Sequence, residues 1–239
     1  MKRFFAEQTE ENFVLFSKEE SNHIVRVIRM REGDELIAAD GKFDLHCRIT
    51  EADPLCVRAE ILSRTENRAN PKADITLYMA CSKSDKLELA AQKACELGAS
   101  AFIPFISKRC VKVPDAKSAE KLAGRLDRIA FEALKQCGRN IPMHTEKPIS
   151  FRELLSRISE TDLVLFAYEA AEESLREAFT EAKGKKIALI VGCEGGFEEK
   201  EAEEIVAAGA KQVSLGSRIL RAETAAIALM AVASYELGN

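Results

Sequence analysis

The 239-residue chain has no tryptophan, only three histidines and no apolar run near the roughly 20 residues that a membrane-spanning helix requires. Its seven cysteines form an odd set without a Cys-x-x-Cys pair, which is typical of reduced thiols rather than of a disulfide framework. The histidines lie far apart in sequence, so we expect no metal site. Acidic residues soon follow the basic first residues, where a signal peptide needs an apolar stretch, and we expect a cytoplasmic protein.

The net charge of −4 is unevenly distributed along the chain. Residues 73–151 carry 13 basic and 9 acidic groups, whereas the segments on either side are net acidic. An acidic total argues against indiscriminate coating of nucleic acid, but a basic middle allows a local RNA or DNA footprint. The apolar fraction of 46% is that of an ordinary globular protein and excludes disorder as the dominant state.

The first part of the chain is dominated by short strand patterns. Ser17 predicts the N-cap of a helix that continues to about Arg29. Asp40-Gly41 predicts a tight hairpin turn. The predicted strands cover residues 13–16, 35–39, 43–49 and 57–61. This pattern favours a small β-barrel domain over residues 1–70, ended by a polar linker over residues 63–71.

From residue 74 onward, strand patterns alternate with helix patterns. Continuous apolar runs such as 163–166 and 187–191 are typical of strands that are buried on both faces. The predicted strands cover residues 75–80, 101–105, 162–167, 186–191 and 211–215. The predicted helices cover residues 85–97, 118–135, 150–158, 172–182, 198–208 and 222–236. The alternation predicts an α/β domain over residues 74–239 with a mostly parallel sheet.

Ligands bind open α/β sheets at the carboxyl ends of the strands, and three of these predicted ends stand out. They are residues 166–169, 192–197 and 215–224. The second has three glycines in five positions, which allow a backbone to approach a ligand closely, although a tight turn without a ligand would also use glycine. Neither of the common nucleotide-binding fingerprints, G-x-G-x-x-G and G-x-x-x-x-G-K-[ST], occurs in the chain.

Two motifs in these loops carry a family resemblance. They are Gly192-x-Glu194-Gly195-Gly196-Phe197 and Leu215-Gly216-x-Arg218-Ile219-Leu220-Arg221-x-Glu223-Thr224-Ala225. Further matches are His23-x-x-x-Val27-x-Arg29, Lys83-x-x-Lys86-x-Glu88 and Gln136-Cys137-Gly138-Arg139. In this order and spacing the motifs resemble the RsmE family of 16S ribosomal RNA uridine N3-methyltransferases. The chain departs from the family at Cys193, where proline is usual, and at Lys135, where an acidic or small residue is more usual.

The resemblance implies a PUA-like RNA-binding domain over residues 1–70 and a SPOUT methyltransferase domain over residues 74–239. It also implies a trefoil knot, a rare topology that strand and helix periodicity do not indicate. Family members are homodimers that hold S-adenosylmethionine in the knot loops and methylate 16S ribosomal RNA in the small ribosomal subunit. The final helix is apolar around almost its whole circumference, so we expect it to contribute to the dimer interface.

The resemblance also implies a set of site residues. Arg139 is the candidate for stabilising charge on a deprotonated uracil, and Glu194 is a second catalytic candidate, although the general base stays unidentified. The expected cofactor-binding residues are Phe166, Tyr168, Gly192, Gly195, Gly196, Leu215, Gly216, Ile219, Leu220, Arg221 and Thr224. The expected RNA-binding residues are Arg3, Arg26, Arg29, Lys83, Lys108 and Arg109.

Other interpretations of the sequence stay open. The chain could be a SPOUT methyltransferase that acts on another ribosomal or transfer RNA nucleotide, or a non-catalytic RNA-binding assembly factor that keeps only the fold. A nicotinamide- or flavin-dependent α/β enzyme is disfavoured because its fingerprint is missing. Arg139 could contact an RNA phosphate instead of the reacting base, and the basic clusters could be ordinary solvated faces.

Overall fold

The protein forms two compact units, residues 1–70 with 138–141, and residues 71–137 with 142–239. The structure, a computed structural model, describes residues 1–111, 113–169, 171, 175–179, 182 and 186–238, apart from the side chains of Ser84 and Arg176. Several positions of the predicted helix 172–182 therefore lie outside the described residues. Among the helices of these ranges, none combines the length and the apolar character that crossing a membrane requires.

The first unit is built on a curled, mostly antiparallel sheet. Its strands are β1 (Arg3–Phe5), β2 (Gln8–Thr9), β3 (Phe13–Leu15), β4 (Glu35–Ala39), β5 (Phe43–Asp53) and β6 (Cys56–Glu66). Their order is β1-β4-β5-β6-β3-β2, and within it only β1 and β4 pair in parallel. Alternate side chains of the long strands, including Leu45, Cys47 and Val57, are buried in a core that also contains Phe16 and Ile24. The sheet is thus a half-barrel with one face on the core.

The predicted hairpin forms, but the predicted linker begins too early. The Asp40 side chain accepts hydrogen bonds from the backbone N–H groups of Lys42 and Phe43, which fixes the turn between β4 and β5. Residues 63–66, assigned to the linker, instead extend β6 by pairing with β5. Polar side chains do not prevent this pairing because the backbone makes the ladder bonds and the outer face is exposed to water.

The helix of the first unit is shorter than the sequence predicted. Ser17 caps α1 (Lys18–Asn22), since its hydroxyl accepts a hydrogen bond from the Glu20 N–H at 3.2 Å. A π-helical turn over His23–Val27 then replaces the expected α-helix, and Ile28 N–H bonds to His23 O. Arg29 follows with φ of 63°, a left-handed conformation that ends the segment.

The second unit is a mixed α/β domain with a parallel sheet, as predicted. Its strands are β7 (Asp74–Ala80), β8 (Ala101–Ile106), β9 (His144–Thr145), β10 (Ile149–Ser150), β11 (Leu163–Ala167), β12 (Lys186–Val191) and β13 (Lys211–Val213). Its helices are α2 (Ser84–Glu96), α3 (Ala116–Cys137), α4 (Phe151–Ile158), α5 (Leu175–Ala178), α6 (Glu199–Ala207) and α7 (Ala222–Leu237). The strand order is β10-β8-β7-β12-β11-β13, with β9 beside β8, and every pair is parallel.

This topology brings the three unusual strand ends together. Strands β12, β11 and β13 are neighbours, and they end at Val191, Ala167 and Val213. Because the strands are parallel, the loops that follow them leave the sheet at one edge. The middle of β11 and of β12 is buried on both faces, so this edge rests on a rigid core.

Residues 138–141 belong to the first unit, although the sequence assigned them to the second domain. The Arg3 guanidinium donates hydrogen bonds to Gly138 O at 3.0 Å and to Asn140 Oδ1 at 2.7 Å. The Asn140 side-chain amide donates in turn to Phe43 O at 2.8 Å. These polar contacts hold residues 138–141 in the first unit. They join residues that are distant in sequence, so a local sequence pattern does not predict them.

Candidate functional site

A cavity of about 340 Å³ opens at the three strand ends of the second unit. Its volume lies within the range of roughly 300–1,000 Å³ that is usual for small-molecule sites. Eight of the residues expected to bind cofactor line it: Tyr168, Gly192, Gly196, Leu215, Gly216, Ile219, Leu220 and Arg221. Glu194, the second catalytic candidate, lines it as well. The cavity therefore unites residues from three separate loops that are distant in sequence.

Three further residues expected at the cofactor lie outside the cavity lining. Phe166 is fully buried, stacks on Tyr168 with ring centroids 5.2 Å apart and meets the ring of Phe197 edge-on at 4.8 Å. It therefore supports the wall that Tyr168 and Phe197 present to the cavity. Gly195 packs against Arg109, and Thr224 is exposed in the first turn of α7.

Two glycines in the turn after β12 are required for different physical reasons. A Cβ atom at Gly192 would lie 2.8 Å from Cε2 of Phe197, so any side chain there would displace a wall of the cavity. Gly196 has φ of 67°, a conformation that other residues adopt at a cost, and its N–H closes the turn on Cys193 O at 2.9 Å. The turn is therefore specific in shape, which favours a built site over a simple connection.

Lys86 on α2 is a cavity residue to which the sequence assigned no role. Its Nζ lies 3.0 Å from Glu194 Oε1 and 3.7 Å from Glu223 Oε2. Lys83 begins the same helix, and a spacing of three residues places Lys86 on the same face, one turn along. That spacing was the available signal, but the partners lie far away in sequence. Arg218 and Arg221 also line the cavity, so Lys86 and its two carboxylates belong to a cluster that contains charges of both signs.

The ionisation of this cluster follows from its contacts. Partial burial acts to raise the pKa of Glu194, but hydrogen bonds from its own N–H, from Lys86 and from the Lys83 N–H hold that pKa below its usual value. The hydrogen bond with Glu194 is the main reason that the pKa of Lys86 is raised. Both groups are therefore charged at neutral pH. A carboxylate with a lowered pKa is a weak proton acceptor, so Glu194 is better suited to attracting cations than to general-base work.

The expected RNA-binding residues fall into three situations. Lys83, Lys108 and Arg109 are exposed in the second unit, where Arg109 donates a hydrogen bond to Gly195 O at 2.9 Å and Lys108 pairs with Glu198. Arg26 and Arg29 are exposed in the first unit, in and just after the π-helical turn. Arg3 is different because its guanidinium is engaged by Asp44, Gly138 and Asn140 within the first unit.

Arg139 lies in the first unit, whereas Glu194 and the cavity belong to the second. Its side chain is 1% exposed, which makes it the largest fully buried side chain in the described residues. Burying a guanidinium is unfavourable unless the protein provides polar partners for it, so the burial of Arg139 indicates a specific environment for this side chain. The described ranges contain no group of three or more His, Cys, Asp or Glu side chains that could hold a metal ion.

Comparison with known proteins adds an independent line of support. Residues 68–234 match the family described as RNA methyltransferase domain, and residues 16–62 match the family described as RNA methyltransferase PUA domain. The first match contains every residue that lines the cavity.

Full-length relatives show the same similarity. The chain is 36% identical to ribosomal RNA small subunit methyltransferase E of Bacillus subtilis (strain 168), over 99% of this chain and 97% of the relative. It is 30% identical to the protein of that name from Aquifex aeolicus (strain VF5), over 96% and 97% of the two chains. It also resembles the crystal structure of a ribosomal RNA small subunit methyltransferase E from Neisseria gonorrhoeae bound to S-adenosyl methionine. That similarity has a TM-score of 0.83 at 30% identity and covers 99% of this chain and 98% of the other.

Proposed function

The chain belongs to the ribosomal RNA small subunit methyltransferase E family, and from this we propose that it methylates N3 of one uridine in 16S ribosomal RNA with S-adenosylmethionine as donor. The observation that carries the proposal is the cavity, because residues of both family motifs meet there. The family membership supports RNA methylation, and the identity of the reacting atom is the part that needs its own test.

The residues around the cavity fit S-adenosylmethionine. Gly192 lets the Phe197 ring pack closely against the turn, and Leu215, Ile219 and Leu220 offer apolar walls for an adenine ring. Ile219 is 89% exposed at the cavity, so a bound ring has an apolar side chain to cover. The cavity presents charges of both signs, with the Glu194 carboxylate among the negative and Arg221 among the positive groups, which suits a ligand that carries a sulfonium, an ammonium and a carboxylate group. A buried carboxylate oxygen of Glu223 accepts no hydrogen bond from the described residues, so an acceptor remains open beside Lys86.

The protein has two chemical tasks. When bound, S-adenosylmethionine supplies a methyl group that is already activated on sulfur, so the cavity has mainly to hold it in line with N3. N3 must also lose its proton, and the resulting negative charge spreads over the uracil ring. We assign the stabilisation of that charge to the Arg139 guanidinium, which is always ionised and has several donors.

We assign RNA binding to two basic clusters, one in each unit. Arg26 and Arg29 form the first, and Lys83, Lys108 and Arg109 form the second. Exposed cations that neutralise phosphates give affinity that decreases with salt, while contacts to the extruded base provide selection. Arg3 contributes indirectly, because its hydrogen bonds to Gly138 and Asn140 hold the segment that contains Arg139.

We further propose a cytoplasmic homodimer with a trefoil knot in the cofactor loops. Helix α7 supports the dimer because it is apolar on two faces. One face, which contains Ala226, Leu229 and Met230, is buried within the subunit, and the opposite face also carries apolar side chains. Tyr235, on that opposite face, is 84% exposed. A partner subunit would cover such a surface through a two-fold interface. The cytoplasmic location follows from the proposed substrate, the small ribosomal subunit.

The decisive experiment maps RNA modifications in cells that lack the protein, with and without its restoration. We expect one N3-methyluridine to disappear from 16S ribosomal RNA and to return with the intact gene but not with a variant that cannot bind donor. Loss of a different modification would identify the alternative, a methyltransferase for another nucleotide. An unchanged map would contradict the proposal and favour an assembly factor without catalysis.

A further inference from the structure

Arg29 has a backbone conformation that is unusual for a residue with a side chain. Its φ is 63°, and every other described residue with a positive φ is a glycine, including Gly33 four positions later. In the left-handed region a Cβ atom lies too close to the following carbonyl oxygen, so glycine is more stable there than any residue with a side chain. The motif His23-x-x-x-Val27-x-Arg29 thus ends on a residue that the backbone conformation disfavours.

The packing of the first unit fixes this conformation. Ile28 N–H bonds to His23 O at 2.9 Å and completes the π-helical turn, and Met30 N–H reaches back to Ile24 O at 3.0 Å. Ile24 is fully buried and Met30 packs against the same core, so the chain must turn sharply between them. Helices commonly end through one left-handed residue, which is usually glycine. The neighbours therefore set the backbone at position 29, and glycine would fit it with the least strain.

The Arg29 side chain does not compensate for the strain through contacts within the protein. It is exposed, and its guanidinium takes part in no hydrogen bond, ion pair or ring contact within the described ranges. Arg26 and Arg31 are exposed as well, and their guanidinium groups likewise have no such partner among the described residues. A cation near a helix end interacts favourably with the helix dipole, but that effect does not require a strained backbone. The segment is thus a positively charged surface with a strained residue at its centre.

The chemistry of this surface suits RNA phosphates. Strained residues persist where a functional contact compensates for them, and π-helical turns are frequent at functional sites. The planar donors of a guanidinium match pairs of phosphate oxygens. A rigid backbone also reduces the entropy that is lost when the ligand binds. The whole segment lies within residues 16–62, which match the RNA methyltransferase PUA domain.

We propose that Arg29 is a fixed phosphate-binding residue for the backbone of small-subunit RNA, and that the first unit is less stable because an arginine occupies this position. Arg29 thereby differs from Arg26 and Arg31, which contribute positive charge from ordinary backbone conformations. The inference rests on the proposed function, because it takes ribosomal RNA as the ligand.

Two substitutions separate the backbone strain from the guanidinium. Arg29→Gly removes both the Cβ atom and the guanidinium, whereas Arg29→Ala removes the guanidinium and keeps the Cβ atom. The melting temperature of Arg29→Gly should exceed those of the wild type and of Arg29→Ala by about 2–4 °C. Affinity for small subunits purified from cells that lack the protein should fall about tenfold in both variants. A melting temperature of Arg29→Gly at or below the wild-type value would overturn the inference, because the arginine would then serve the helix end.

Arg68→Ala is the matched control, since Arg68 is exposed in the first unit without a positive φ and its substitution removes the same charge. Arg29→Ala that binds the subunit as tightly as Arg68→Ala would overturn the phosphate contact. The slope of log affinity against log salt should flatten by about one for Arg29→Ala relative to the wild type. Weaker binding with an unchanged slope would overturn the ionic nature of the contact.

Ultraviolet crosslinking of the complex identifies the class of partner. It should join residues 27–31 to 16S ribosomal RNA, and a crosslink from this segment to a ribosomal protein instead would overturn the RNA contact. Calorimetry should show unchanged donor affinity in both Arg29 variants, because the cavity belongs to the second unit. A wild-type protein that binds no small subunit would contradict the proposed function itself, whereas normal binding by Arg29→Ala would overturn the role of Arg29 alone.

Discussion

Lys86 Nζ lies 3.0 Å from Glu194 Oε1, so that helix α2 holds the turn after β12 by its side chain as well as by its backbone. The Lys83 N–H, at the start of the same helix, donates to the same carboxylate. Helix N-termini favour negative charge, which adds to the attraction of the ammonium group. The shape of the turn after β12 thus depends on Lys86, which is distant in sequence from both loop motifs.

Lys86→Gln should weaken S-adenosylmethionine binding roughly tenfold, because Glu194 and Glu223 lose the cation that they share and repel each other. Isothermal titration calorimetry measures the change. Lys93→Gln is the matched control, since Lys93 lies on the same helix and, among the ion pairs of the described residues, pairs only with Glu96, at 2.8 Å. Equal affinity in the two variants would show that the Lys86 cluster has no part in binding.

The lowered pKa of Glu194 predicts how stability depends on pH. A group whose pKa is lower in the folded state stabilises the fold above its unfolded pKa, about 4.3 for glutamate, and loses that contribution as the pH falls through the folded pKa. The melting temperature of the wild type should therefore exceed that of Glu194→Gln by a constant amount between about pH 6 and 8. The difference should shrink below about pH 4. A difference that grows with acid would contradict the assigned ionisation.

The loops at the strand ends could be predicted from sequence because their signals are local. Apolar runs mark β11 and β12, and the glycines after β12 follow such a run directly. The family resemblance then supplied the PUA-like and methyltransferase assignments, which the family matches confirm. Because adjacent strands pair in parallel, the three loops come together at one edge of the sheet, and this proximity could be predicted as well.

Other features depend on contacts between distant residues, and sequence patterns do not report these. The π-helical turn at His23–Val27 keeps the apolar spacing of an α-helix closely enough to be predicted as one. Residues 63–66 have a polar composition typical of a linker, yet they extend β6 because β5 offers its backbone groups there. Lys86 acquires its role only when Glu194 and Glu223 are folded beside it.

Gly192→Ala should destabilise the second unit by about 1–3 kcal/mol and abolish donor binding, because its Cβ would lie 2.8 Å from the Phe197 ring. Gly124→Ala is the control within the same unit. Gly124 lies inside α3 with nothing within 4 Å of its Cβ position, so alanine should stabilise the helix by roughly 0.5–1 kcal/mol. Urea unfolding and calorimetry measure the two effects. Normal binding by folded Gly192→Ala would show that the turn needs no close approach.

The proposed dimer predicts a specific sensitivity on α7. Ala231 lies roughly 140° around the helix from Ala226, which is fully buried, and is itself only partly buried. Ala231→Arg should therefore leave the fold intact but weaken dimerisation about a hundredfold, since an unpaired charge would be buried in the interface. Light scattering across a dilution series measures the change, with Leu55→Arg in the first unit as control. A wild-type monomer at micromolar concentration would reject the dimer itself.

Arg139 offers the sharpest separation of catalysis from binding. If its guanidinium stabilises charge on the uracil, Arg139→Lys should leave donor affinity nearly unchanged but slow single-turnover methylation roughly 10- to 1,000-fold. Lysine keeps the positive charge but lacks the planar set of hydrogen-bond donors. A slower methylation rate would therefore report the geometry of these donors rather than the charge. The substrate should be the assembled small ribosomal subunit at saturating concentration.

Two controls make this result interpretable. Because Arg139 is 1% exposed, the melting temperature of Arg139→Lys must be measured first, and Arg128→Lys, at an exposed position of α3, provides the matched substitution. A phosphate contact would behave differently from a catalytic one: RNA affinity would fall, its salt dependence would flatten and turnover would recover at saturating subunit. A folded Arg139→Lys with a normal single-turnover rate would remove Arg139 from catalysis, and the buried guanidinium would then serve the structure of the 138–141 segment alone.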